Sequence, residues 1–310
     1  MKNWLRNINN IDKALKGLKR SLYNTEQGDL MKPLKTKKAF VIILALFFAV
    51  LYFRHIKNVN EAFYQVNYPK EDISEVLSKD SLTEEDYMLL FKQTGLSPYV
   101  SAKLIQNGSK DLLFKMNELY LNTPERKKEF VAFPITVSER NLNQITTLAD
   151  LRKGDILVTF NTHTLDWRHG HCGIVVDEER GILLEHMSIG NPSCLTYAKN
   201  WGRYPSFVVL RYPEESVSEK AAEYAKEHLV GIDYNILAGV LKKDKSGEKV
   251  MESSHCSHIV WQAYKAAGVD IDPNGGIFVT PLNIAMSDKL QVIQLYGLNP
   301  DKYKDRLKKQ

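Results

Sequence analysis

Four short β-rich runs between residues 155 and 211 constrain the fold of this chain more than any other feature. They are Asp155-Ile156-Leu157-Val158-Thr159-Phe160, Cys172-Gly173-Ile174-Val175-Val176-Asp177, Ile182-Leu183-Leu184-Glu185-His186 and Ser206-Phe207-Val208-Val209-Leu210-Arg211, parted by Gly, Asp, Asn and Pro turns. Runs of this length and composition read as strands joined by tight connections, in a meander or a small barrel. Helical patterns follow. Ser216 and Glu219 form an S-x-x-E capping box for a helix that Gly231 stops, and a second helix starts near Cys256 and runs to about Ala267. Strands followed by helices predict an α+β layout.

Cys256 sits in Ser253-Ser254-His255-Cys256-Ser257-His258-Ile259-Val260-Trp261. With Ser253 or Ser254 as the cap, the thiol falls in the first helical turn, where unpaired N–H groups and the positive end of the helix dipole favour thiolate. Val260, Ala263, Tyr264 and Ala267 share its helical side, so that side faces the core. This is where a thiol nucleophile belongs. A small buried hydrophobe would occupy the same place, as most free cysteines do.

A nucleophile needs a base. His171 stands where a loop enters the second run, while His163 and His169 read as exposed loop residues. Glu185 lies on the adjacent expected strand, where it could accept a proton from the second imidazole nitrogen and fix its orientation; an exposed strand position is the alternative. His163, His169, His171 and His186 are spaced H-x5-H-x-H and H-x14-H, which matches no metal-binding pattern, so no metal is expected. The three cysteines are too few and too scattered for a disulfide scaffold.

Leu151-Arg152-Lys153-Gly154-Asp155-Ile156-Leu157, His171-Cys172-Gly173-Ile174-Val175, Glu185 and Cys256-Ser257-His258-Ile259-Val260-Trp261 together resemble the YiiX/YebB-like branch of the NlpC/P60 superfamily, permuted papain-fold cysteine hydrolases. In that branch the order His…Glu…Cys reverses the ordinary one, as it does here over residues 140–290. The resemblance implies Cys256 as nucleophile, His171 as general base and then acid, and Glu185 as the orienting third member. It also implies that Tyr234, in Gly231-Ile232-Asp233-Tyr234-Asn235, helps bind substrate or the oxyanion. A polar insert over 242–249 enlarges the distance from Tyr234 to Cys256. Cys172 departs from the family, which more often has a small or apolar residue after the base. Cys194 has no argued role.

Charge and hydropathy set the expected location. Residues 1–38 hold ten Lys or Arg against three acids, whereas the other 272 residues hold 32 against 34. The bulk of the chain therefore offers no surplus of cations for phosphates, which excludes a nucleic-acid partner. After Lys37 and Lys38 come fifteen uncharged residues, 39–53, followed by Arg54 and Lys57. Apolar on every face and bracketed by cations, they predict a transmembrane signal anchor over 39–57. A cleaved secretory signal is the rival, but no small-x-small site follows. The basic side should face the cytoplasm, leaving a single-pass chain with its catalytic domain extracellular. Trp4, Leu5, Ile8, Ile11, Leu15 and Leu18 among lysines suit an amphipathic helix along the inner leaflet.

Between the anchor and the strands, Thr83 with Asp86 resembles a capping box, Gly95 can end that helix, and Ser97-Pro98 opens another that Asn107-Gly108 ends. The expected organisation is a basic cytoplasmic segment (1–38), the anchor (39–57), a helical spacer (58–139) and a permuted NlpC/P60-like catalytic domain (140–310). The expected activity is hydrolysis of an amide bond by a membrane-anchored Cys-His-Glu enzyme. Its partners would be cell-wall peptide or another amide substrate, and membrane lipid through residues 39–57. No cofactor is expected. A lipid acyl hydrolase or acyltransferase with the same triad, and a non-catalytic binding module, are the alternatives.

Overall fold

The computed structural model describes residues 40–50, 64, 66–121, 125–132, 136–164, 167–238, 252–273 and 278–308. The chain divides into two units, residues 1–53 and 54–310. The second opens with helices α1 (Ser74–Leu77), α2 (Glu84–Thr94), α3 (Pro98–Gln106) and α4 (Lys110–Leu121). Strands β1 (Arg126–Ala132), β2 (Thr136–Asn141), β3 (Ile156–Thr159), β4 (Thr162–Thr164), β5 (Trp167–Arg168), β6 (His171–Asp177), β7 (Ile182–Glu185) and β8 (Cys194–Tyr197) follow. After a 3-10 turn (Ala198–Arg203) come β9 (Phe207–Arg211), α5 (Glu215–His228), β10 (Asp233–Tyr234), β11 (Ser253–Ser254), α6 (Cys256–Ala266), α7 (Pro281–Ala285) and β12 (Gln291–Tyr296).

The main sheet is antiparallel and open, in the order β12-β9-β3-β6-β7-β8, so the fold is α+β, with no barrel among the described residues. Both faces are covered. Ile156, Val158, Cys172, Ile174, Val176 and Leu184 pack beneath α5 and α6, on Ala221, Ala225, Ile259 and Val260. Leu157, Val175, Leu183, Val209 and Ile293 point the other way, onto Leu90, Val100, Leu113 and Met116 of α2, α3 and α4. Double coverage is the physical reason that Ile156-Leu157-Val158 is apolar without alternation: every position is buried. A second sheet, β1-β2-β4-β5, carries the buried Arg168–Glu139 ion pair at 2.6 Å.

Local signals set several boundaries. Thr83 and Asp86 form a reciprocal capping box, and Gly95 ends α2 at φ 73°. Ser97 caps α3, with Pro98 at its first position. The Ser216 capping box does not form. α5 starts earlier, at Glu215, and the Ser216 hydroxyl turns back to Glu214 at 2.9 Å.

In the first unit, residues 40–50 are helical. At 1.5 Å per residue they span about 16 Å, roughly half of a ~30 Å hydrocarbon core. Among the described residues no helix is long and apolar enough to cross a membrane. This overturns the expected signal anchor over 39–57, and with it the single-pass topology, the membrane-lipid partner and the extracellular placing of the catalytic domain. Cell-wall peptide and lipid acyl groups as substrates rest on that location and fall with it. Residues 39 and 51–57, and the amphipathic segment expected over 1–20, lie outside the described residues.

Candidate active site

Cys256 is the first helical residue of α6, preceded by His255 in extended backbone. The expected serine cap is absent. Ser254 instead bonds His258 Nδ1 at 2.8 Å, and Ser253–Ser254 pair in parallel with Asp233–Tyr234. That short pairing places Tyr234 opposite Ser254, so a residue distant in sequence is held at the start of the cysteine helix. The tyrosine also lies edge-on to His186, with ring centroids 4.9 Å apart. The insert over 242–249 lies outside the described residues.

His171 opens β6, opposite Thr159 on β3. Gly170 turns the chain into the strand at φ 76°, and a Cβ there would meet the Thr159 carbonyl oxygen at 2.7 Å. Gly173 is the register partner of Glu185. A Cβ on Gly173 would come within 3.0 Å of Glu185 Cγ, so the bare glycine leaves space for the carboxylate beside His171. His171 Nε2 and Glu185 Oε1 are 2.9 Å apart and both side chains are buried. With Nε2 on the carboxylate, Nδ1 is the ring nitrogen left for another partner.

Glu185 has two further donors that sequence reasoning missed. Trp201 Nε1 donates to Oε1 at 2.8 Å, and the Thr196 hydroxyl donates to Oε2. Trp201 comes from the 3-10 turn and also stacks on His171, with ring centroids 5.5 Å apart and planes 21° apart. It therefore holds His171 and Glu185 together.

The electrostatics follow from these contacts. Burial opposes a charged His171, but hydrogen bonds to Cys256 and Glu185 overcome it and raise the imidazole well above its ordinary value. Burial also works against the Glu185 carboxylate, yet its bond to His171, with help from Thr196 and Trp201, holds it below the usual range. The Cys256 thiol is pushed well down by a hydrogen bond from Cys172 and by bonds to His171 and His255, against burial. A thiolate beside an imidazolium is the state these contacts favour.

The remaining candidates separate cleanly. Cys172 is fully buried and its thiol is raised well above the ordinary value, by burial first and then by the Cys256 contact. Cys194 is exposed on β8. His186 is buried and, chiefly by desolvation, lowered to about 4. His163 and His169 are not the exposed loop residues expected. His163 is buried on β4, 3.9 Å from Glu139, and His169 Nε2 meets the Thr164 hydroxyl at 2.9 Å. Among the described residues no group of three or more His, Cys, Asp or Glu side chains could hold a metal ion.

Comparison with protein-family models, with curated proteins and with solved structures finds no match for this chain, so the permuted NlpC/P60 fold name has only the quoted residues behind it.

Proposed function

We propose that this chain is a cysteine peptidase or amidase that works through an acyl-enzyme. The observation that carries the reading is the buried His171–Glu185 pair at 2.9 Å, with the Cys256 thiol at the head of α6 among the groups that shift the imidazole. The Cys256 thiolate attacks the carbonyl carbon of the substrate amide, and the carbonyl electron pair moves onto oxygen. The first N–H groups of a helix have no intrahelical partner, so the Cys256 N–H is available to that oxyanion. His171 passes its Nδ1 proton to the amide nitrogen as the C–N bond breaks, leaving a thioester and a free amine. Water then attacks the thioester, His171 takes its proton, and Cys256 leaves as thiolate. Glu185 keeps the imidazole oriented and stabilises its charge through both steps. Tyr234 borders the same end of α6 and is suited to the substrate side of the site.

The His…Glu…Cys order that resembles the permuted hydrolases supports the same roles for the same residues. The test is release of amine from a panel of N-acyl amides and short peptides by the full chain and by Cys256→Ala. Loss of at least about a thousandfold in turnover is expected for the variant. Turnover by Cys256→Ala at the unsubstituted rate contradicts the mechanism. A chain that binds such peptides but never cleaves them, and whose Cys256 has an ordinary thiol's reactivity, is instead a binding module.

A further inference from the structure

Glu185 stands one strand in from the edge of the main sheet. On one side of it lies β6, with His171 and the bare Gly173, and on the other lies β8, the outermost strand. Side chains alternate along a strand, so Cys194, directly across from Glu185, and Thr196, diagonal to it, share its face, while Leu195 points the other way. The two oxygens of the buried carboxylate are served unequally. Oε1 accepts from Trp201 Nε1 at 2.8 Å and lies 2.9 Å from His171 Nε2. An indole N–H can only donate, so Oε1 is an acceptor filled from two sides. Oε2 has the hydroxyl of the half-buried Thr196. A proton added to Glu185 therefore goes to Oε2, at the place where that hydroxyl stands.

We propose that Thr196 is a positioning residue: its hydroxyl donates to Oε2, the oxygen that His171 and Trp201 leave open, and so holds Glu185 as a carboxylate turned toward His171. The inference deepens the hydrolase reading and rests on it. A hydroxyl bonds an ionised carboxylate more strongly than a neutral carboxyl group, so the contact favours the charged form. Burial works against that charge. The bond to His171 and its charge do most to restore it, followed by the Thr196 hydroxyl and then by Trp201. The other titratable groups around the carboxylate are His171 on β6, Cys194 across from it on β8, and Tyr204 behind Trp201, with ring centroids 5.1 Å apart. Cys172 lies on the opposite face of β6, and Cys256 heads α6. A substitution at 196 changes none of them.

The experiment compares the full chain with Thr196→Val, which keeps the β-branched shape and deletes the donor, and with Thr196→Ser, which keeps a donor. Denaturant unfolding is followed from pH 3 to 8, and kcat/KM from pH 4 to 9 for release of amine from the panel of N-acyl amides and short peptides. Loss of one hydrogen bond to a charged group corresponds to a shift of about one pH unit. The acid limb of kcat/KM should move up by that amount in Thr196→Val, making turnover on the limb about tenfold slower, and Thr196→Ser should bring it back. Glu185 is held below its ordinary 4.5, so the stability gap between the unsubstituted protein and Thr196→Val should be fully present above that value and close as pH falls below it. If Thr196→Val does not fold, Thr196→Ala deletes the same hydroxyl without added bulk. An acid limb that Thr196→Val leaves in place, a gap that is flat with pH, or a Thr196→Ser as impaired as the valine variant overturns this role and leaves the hydrolase reading standing. An unsubstituted chain that releases amine from no member of the panel at any pH removes the hydrolase reading, and the role of Thr196 falls with it.

Discussion

Buried charge gathers at both ends of β3, and the two clusters are built differently. At its start, Arg211 reaches Asp155 through Nε and Nη2, each at 2.7 Å, and Asp150 at 3.2 Å. The backbone N–H of Arg152 completes Asp155 at 2.8 Å. Burial opposes the Arg211 charge, and these acids more than restore it. At the other end, opposite Thr159, stand His171, Glu185 and Cys256. The first cluster pairs a guanidinium with carboxylates and ties the start of β3 to β9, with Lys103 of α3 also on Asp150. The second joins a thiol to an imidazole, two groups whose ordinary pKa values bracket neutrality, and there a proton can change hands. Burial with full pairing makes a structural lock, while burial with a shared proton makes a reactive site.

That contrast can be broken from either side. The largest effect is expected from Asp155→Ala. Removing one partner of a buried pair leaves Arg211 undercompensated and should cost about 3–5 kcal/mol in denaturant unfolding. Alkylation of Cys256 below the unfolding transition should be unchanged. A parallel loss of thiol reactivity would mean that the two clusters are not independent.

Glu185→Gln is the matching change at the other end. It keeps the shape and removes the charge that supports His171, so amide turnover should fall by about 100-fold, the low end of a single acid–base contribution. The pH dependence has a definite sign. Glu185 is held below its ordinary 4.5, so its contribution to stability is present above that value and lost as pH falls through the depressed one. His171 is held above its ordinary 6.5, so its contribution is complete below that value and lost as pH rises through the raised one. The stability gap between the unsubstituted protein and Glu185→Gln should therefore be widest between pH 4.5 and 6.5. A gap that is flat from pH 4 to 9 would show that the pair is not charged.

Trp201→Phe sharpens the comparison further, because it keeps a ring on His171 and deletes only the donor to Glu185. A drop in turnover of about tenfold is expected, the low end for one hydrogen bond to a charged group. The acid limb of the pH profile should move upward as Glu185 becomes easier to protonate. A purely structural role would lower melting temperature and leave the limb in place. The smallest effect belongs to Thr83→Ala in the helical layer, where losing the α2 cap should cost about 1 kcal/mol and leave Cys256 unaffected.

The same regions show what can be read from the sequence. The caps at Thr83 and Ser97 were legible because each signal lies within four residues of its helix. Strands β3, β6, β7 and β9 were legible as apolar runs between turn residues. β1 was not, since Arg126-Lys127-Lys128-Glu129 looks like a solvated segment until β2 pairs with it. Cys256, His171 and Glu185 could be named from their places at a helix start, a strand start and a neighbouring strand. Their supports could not. Trp201 reaches Glu185 through a 3-10 turn, and Thr196 through the register of β8 on β7. The apolar run after Lys38 misled for a different reason. Hydropathy describes what a segment tolerates, and the described helix over 40–50 falls short of a membrane span.

The most direct test of the central claim is the alkylation rate of each cysteine against pH in the full chain and in His171→Ala. The account predicts that Cys256 reacts fast at pH 5–6, well below the ~8.5 of a free thiol, that Cys172 and Cys194 do not, and that His171→Ala abolishes the difference. Three cysteines that titrate alike, or a Cys256 indifferent to His171→Ala, would contradict it.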